Sequence, residues 1–109
     1  STLDIEIARH GVPTYVKIDV EGYELEVLKG LSEPIKFISI EFTAEDTQQS
    51  IACMEKLQEL GNYQYNFSEG ETHFFENDKW FTKNKLLHYL HTKEQNKSNL
   101  WGDIFCKLI

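Results

Sequence analysis

Several residue types are scarce here, and each scarcity removes a class of protein. The chain of 109 residues has two cysteines, Cys53 and Cys106. Neither belongs to a CxxC pair, so a zinc ribbon or a thioredoxin-type centre has no support. Both lie among apolar neighbours and read as buried thiols of a reducing compartment, which makes a cytoplasmic location the expectation. No apolar run approaches the ~18–20 residues of a membrane span. Ser1-Thr2-Leu3-Asp4 lacks the basic start and apolar core of a signal peptide. The absence of an initiator methionine is what a processed, tagged or cut piece would show. Positive charge is short: 11 Lys and Arg stand against 18 Asp and Glu, a net charge of −7. That balance argues against nucleic acid or an anionic membrane as partner, because both would repel the chain. No hydroxyl or thiol residue carries a nucleophile-elbow motif.

What remains is ordinary for a small globular domain, 40% hydrophobic and 27% charged. The length allows one domain, shorter than a doubly wound α/β enzyme normally needs. The chain is organised around Tyr15 to Gly30. Tyr15-Val16-Lys17-Ile18 reads as a strand, Asp19-Val20-Glu21-Gly22 as a turn, and Tyr23 to Lys29 as a helix with Leu25, Val27 and Leu28 on its buried side. In open α/β sheets ligands bind at the carboxyl ends of strands, the position Asp19 and Glu21 would occupy.

Before this stretch, Thr2 can cap a helix on which Leu3 and Ile7 share a face, and Gly11 can supply its left-handed terminus. After it, Ile35 to Phe42 carries apolar residues at both parities, as in a strand buried on two faces of a parallel sheet. Thr43-Ala44-Glu45-Asp46 resembles a capping box that opens a helix to about Leu60. The resulting αβαβα order predicts a parallel sheet with crossover helices. Beyond Gly61 the pattern changes. Tyr63, Tyr65 and Phe67 alternate as in a strand with one covered face, Ser68 to Glu71 reads as a turn, and Thr72 to Phe75 as a partnering strand. Asn77 to Lys85 is irregular, Leu86 to His91 a short helix, Lys93 to Asn99 a polar run and Asp103 to Ile109 the last strand. The end of the chain therefore reads as antiparallel pairing attached to a parallel core.

The block Lys17-Ile18-Asp19-Val20-Glu21-Gly22-Tyr23-Glu24-Leu25-Glu26-Val27-Leu28-Lys29-Gly30 closely resembles the signature of the FkbM-type methyltransferases, which use S-adenosylmethionine. The similarity extends to Thr2-Leu3-Asp4, to Ile38-Ser39-Ile40-Glu41 and to Trp101-Gly102-Asp103-Ile104-Phe105; between about Asn62 and Asn99 it is only general. The resemblance implies the C-terminal half of a class I, Rossmann-like methyltransferase fold: an α/β domain with a mixed sheet and an antiparallel last strand. Residues 1–109 would then form a partial domain. Tyr15–Ile18 would be strand four, Ile35–Phe42 strand five, Tyr63–Phe67 strand six and Asp103–Ile109 strand seven. Strands one to three, with the glycine-rich loop and acidic residue that hold the cofactor, have no counterpart, and no G-x-G run occurs. The piece alone is expected to be inactive and to bind S-adenosylmethionine weakly.

Methyl transfer to a hydroxyl is an in-line displacement that needs an aligned acceptor and a group to take its proton. The resemblance implies Asp19 as the acid positioning cofactor and acceptor, and Glu21 as general base. Glu41, ending the next strand, would bind acceptor hydroxyls of a sugar, glycan or secondary metabolite. Glu24 is a further candidate on the substrate side, although a negative charge in a first helical turn is favoured by the helix dipole alone. From spacing alone, Asp19 and Glu21 are equally readable as turn-forming and capping acids. His88 and His91 share a helical face at a spacing metals use, but no third ligand is evident. No bound metal is expected. Two other readings stay open: a non-catalytic α/β module that binds a partner through an exposed strand, and a metal-assisted phosphotransfer or hydrolytic domain. With strands one to three missing, strand four should present a free edge, and such edges invite self-association.

Overall fold

The computed structural model describes residues 1–70, 75 and 79–109. The elements follow in the order α1 Leu3–His10, β1 Tyr15–Ile18, α2 Glu24–Lys29, β2 Phe37–Thr43, α3 Thr47–Leu60, β3 Tyr63–Glu69, α4 Lys83–Asn96 and β4 Trp101–Leu108. The four strands form one sheet ordered β1-β2-β4-β3. β1 and β2 run parallel, joined by the α2 crossover, while β4 enters antiparallel between β2 and β3. The mixed α/β sheet is thus as expected, and β1 has the expected bounds. The insertion of the last strand between the second and third is a relation the sequence pattern did not contain.

Strand periodicity sorts the residues of this sheet into two faces. Ile38, Ile40 and Phe42 of β2 stand in register with Cys106, Ile104 and Gly102 of β4. Those in turn stand beside Tyr65, Phe67 and Glu69 of β3. The Tyr65 hydroxyl donates to the Met54 carbonyl of α3, so this apolar face is the helix side. Cys53, Met54 and Leu57 of α3, Leu28 of α2 and Leu86 and Leu90 of α4 complete the core. Burying each such side chain contributes about 1.5–3 kcal/mol.

Gly102 is required on this face. A Cβ there would lie 2.8 Å from Phe67 Cζ and collide with the Ser68 carbonyl oxygen. Its missing side chain admits the edge-on packing of Phe42 on Phe67, whose ring centroids are 5.7 Å apart. The opposite face carries Tyr15 and Lys17, Ser39 and Glu41, Phe105 and Asp103, and Asn66 and Ser68. Ser39, Asn66 and Ser68 are buried there, so β3 is covered on both sides rather than one. Phe75 contributes, packing its ring on Phe105 and Trp80.

Local signals held where one side chain could satisfy them. Thr2 caps α1, its hydroxyl accepting from the Ile5 amide. Gly11 follows at φ +88° but ψ 169°, so it ends α1 with positive φ without the left-handed helical conformation. The capping box at Thr43–Asp46 does not form. Residues Ala44–Asp46 make a 3₁₀ turn, Thr43 makes no side-chain cap, and α3 starts at Thr47. The short helix expected at Leu86–His91 is four turns long, Lys83–Asn96, and it absorbs half of the polar run that follows. Its hydroxyl cap at Thr82 and its buried Leu86 and Leu90 fix it, whereas its many polar residues weakened the sequence pattern. The last strand also starts earlier than expected, at Trp101. The expected strand Thr72–Phe75 lies outside the described residues, apart from Phe75. The two thiols are free and buried. Burial, reinforced by the charges of Glu24 and Asp46, pushes the Cys53 thiol up to about 12; burial likewise raises Cys106.

Candidate active site

β1 and β2 end together, and their register decides which acids meet. Ile18 pairs with Ile40, which places Asp19 beside Glu41 one step further on. Across β2, Glu41 pairs with Asp103 of β4, and Asp103 pairs with Ser68 of β3. Asp19, Glu41, Asp103 and Ser68 therefore form a polar row along one edge of the sheet, on the face away from the core. Nothing in the sequence pattern sets Asp103 apart, since it stands at the start of an apolar final strand with no acidic neighbour. Only its register against Glu41 marks it.

Asp19 and Glu21 are exposed, and Glu41 is half-buried. Burial raises the pKa of Glu41 above its ordinary 4.5, and the charges of Asp19, Glu24 and Asp103 add to the effect. The row thus combines an exposed acid with a neighbour that binds protons more tightly than a free carboxyl group.

The turn leading out of β1 has an unusual backbone. The Tyr23 amide donates to the Val20 carbonyl over 3.3 Å, closing a four-residue turn. Its central residues, Glu21 at φ +43° and Gly22 at φ +95°, are both at positive φ. That is free for glycine but costs a residue with a Cβ about 1–2 kcal/mol.

Glu24 holds this turn. It is 3% exposed, and its carboxylate accepts from the Val20 amide at 3.3 Å and the Gly22 amide at 3.0 Å. Both oxygens are therefore engaged with backbone. Gln49, from α3, holds the other side: its Nε2 donates to the Gly22 carbonyl, and its Oε1 accepts from the Leu25 amide at 3.2 Å. Nothing in the sequence pattern singled out Gln49. Its partners lie more than twenty residues upstream, and helical periodicity placed it only on a helix.

Beside the turn, Gly22, Glu24, Glu41, Thr43, Asp46 and Gln49 line a cleft of about 30 Å³. That is room for about one water molecule. A wider concavity of about 710 Å³ runs along α4 past Phe81, Lys85, His88 and Tyr89, and shares no residue with the turn. His91 of the same helix has its Nε2 3.1 Å from Gln95. Among the described residues no three His, Cys, Asp or Glu side chains are placed to hold a metal ion. Nor is any helix among them long and apolar enough to cross a membrane.

Comparison with curated proteins and with solved structures gives no match. The family model described as the methyltransferase FkbM domain matches residues 1–97, which include the turn, Glu41 and Gln49. The chain belongs to the FkbM methyltransferase domain family.

Proposed function

We propose that this chain is the C-terminal, acceptor-side portion of an S-adenosylmethionine-dependent O-methyltransferase, acting on a hydroxyl of a sugar, glycan or secondary metabolite. The observation that carries the reading is the meeting of Asp19 and Glu41 at the carboxyl ends of two parallel strands, in a chain of this family. The strands correspond to four, five, six and seven of a class I fold, with β4 as the antiparallel last strand.

S-adenosylmethionine would supply an activated methyl group on a sulfonium. The described residues do not fit the whole cofactor, since the cleft beside the turn is about 30 Å³ and small-molecule sites run to ~300 Å³ or more. What the chain's own residues offer is acid–base and hydrogen-bonding chemistry. Asp19 positions the acceptor and gives a positively charged donor a favourable neighbour. Glu21, exposed on the turn, takes the acceptor's proton as general base. Glu41, when protonated, donates a hydrogen bond to an acceptor hydroxyl oxygen, and its reluctance to ionise suits that role. Glu24 acts from behind, through the turn.

The test uses the full-length protein with S-adenosylmethionine and a panel of hydroxylated acceptors. Asp19→Asn and Glu21→Gln are expected to lose methyl transfer while keeping the wild-type circular dichroism spectrum. Normal turnover by both variants with a genuine acceptor would remove the assignment. Calorimetric titration should show S-adenosylmethionine binding to the full-length protein and little to residues 1–109.

A further inference from the structure

We infer that Gln49 is a positioning residue that fixes the direction of the strand-tip carboxylates by clamping the Gly22 peptide from α3; this rests on the reading that Asp19 and Glu21 serve methyl transfer. The helix α2 has six residues, and Tyr23 at its N-cap makes no side-chain cap. So short a helix is marginal without outside support. Gln49 supplies it in trans, its Oε1 accepting from the Leu25 amide at 3.2 Å and lying 3.9 Å from the Cys53 thiol. Gly22 is then gripped on both sides. Its N–H goes to Glu24 at 3.0 Å and the carbonyl of the same residue to Gln49 Nε2.

The packing of α2 on α3 does not need this amide, because Leu28, Cys53 and Leu57 already bury that contact. What needs it is the turn. Glu21 stands at φ +43° and Gly22 at φ +95°, and both would relax if the Gly22 carbonyl were released. Rotation there swings Glu21 directly and moves Asp19 relative to Glu41. Gln49 shares the small cleft with Glu41 but makes no hydrogen bond to Asp19, Glu21 or Glu41, and acts through the backbone between them.

The experiment follows the Glu41 carboxyl by carbon NMR titration in the wild-type chain and in Gln49→Met, which keeps the volume and loses both hydrogen bonds. Asp19 from the β1 tip, Glu24 from α2 and Asp103 from β4 are the charged groups that act on Glu41, and are followed with it. The Glu41 midpoint is expected to fall toward the ordinary carboxylate range in Gln49→Met. Leu57→Ala, a core change at the far end of α3, should lower the melting temperature without moving that midpoint. If Gln49→Met does not fold, Gln49→Asn, too short to span both partners, should give a smaller change of the same sign. An unchanged Glu41 midpoint in a folded but destabilised Gln49 variant overturns the inference, as does an equal change in Leu57→Ala. In the full-length enzyme Gln49→Met should lower kcat about 10–100-fold at unchanged KM for the methyl donor. A wild type that transfers no methyl group would sink the proposed reaction and leave the titration to decide the clamp.

Discussion

Asp19 and Glu41 stand side by side at the tips of two parallel strands, and the charge of Asp19 adds to burial in raising the pKa of Glu41. The two residues are far apart in sequence and adjacent because Ile18 pairs with Ile40. Burial and the neighbouring charge together give Glu41 a pH dependence that an isolated carboxyl group would not have.

Stability should fall as pH rises through the range in which Glu41 ionises. Its folded pKa is raised above the ordinary 4.5, burial first and Asp19 next. The folded state therefore binds the proton more tightly, and this contribution is full below 4.5 and lost as pH climbs through the folded value. Glu41→Gln should flatten that slope in denaturant titrations between mildly acid and neutral pH. Glu69 works the other way. Hydrogen bonds to Lys97 and Lys93 lower its pKa, so its contribution is present at neutral pH and lost on acidification. A Glu41→Gln chain with an unaltered slope above pH 4.5 would refute the raised pKa of Glu41.

Gly102→Ala should be the most damaging single methyl group added to the sheet. The new Cβ meets the Ser68 backbone and the Phe67 ring at once, and backbone cannot yield as a flexible side chain can. Overpacking of this kind costs about 1–3 kcal/mol, occasionally more. Thermal unfolding against Gly22→Ala separates two causes. Gly22 has open space around it and φ +95°, so its substitution carries only the backbone cost, about 1–2 kcal/mol. A Gly102→Ala variant as stable as wild type would contradict the packing described for Phe42 and Phe67.

β1 is an edge strand, and we propose that it mediates self-association of this chain. Tyr15 and Lys17 are exposed along it, and the Tyr15 hydroxyl lies 2.6 Å from Ser39 Oγ, which ties the ring to β2. Unpaired strand edges template pairing with another chain. Sedimentation should show concentration-dependent dimers, reduced by Lys17→Pro, which removes an N–H that faces the free edge. A stable monomer at every concentration counts against the proposal.

Much of the fold was legible in the sequence because the signals are local. Four residues of alternating exposure bound β1, the Thr2 hydroxyl reaches its own helix, and an apolar stripe defines α3. The family signature from Lys17 to Gly30 likewise lies in one uninterrupted block. Local signals failed where a competing arrangement was equally local. Thr43 to Asp46 had the residues of a capping box and folded as a 3₁₀ turn instead.

The sequence by itself therefore determined the strand, turn and helix around Asp19, the acidic character of that turn, and the family. Tertiary structure decided which acids meet. Strand register brings Asp19 to Glu41 and Asp103, and burial turns Glu24 inward onto the backbone. The approach of α3 delivers Gln49 to Gly22. Periodicity and propensity report on neighbours a few residues apart, whereas register and side-chain contact are set by packing between segments that the chain brings together only on folding.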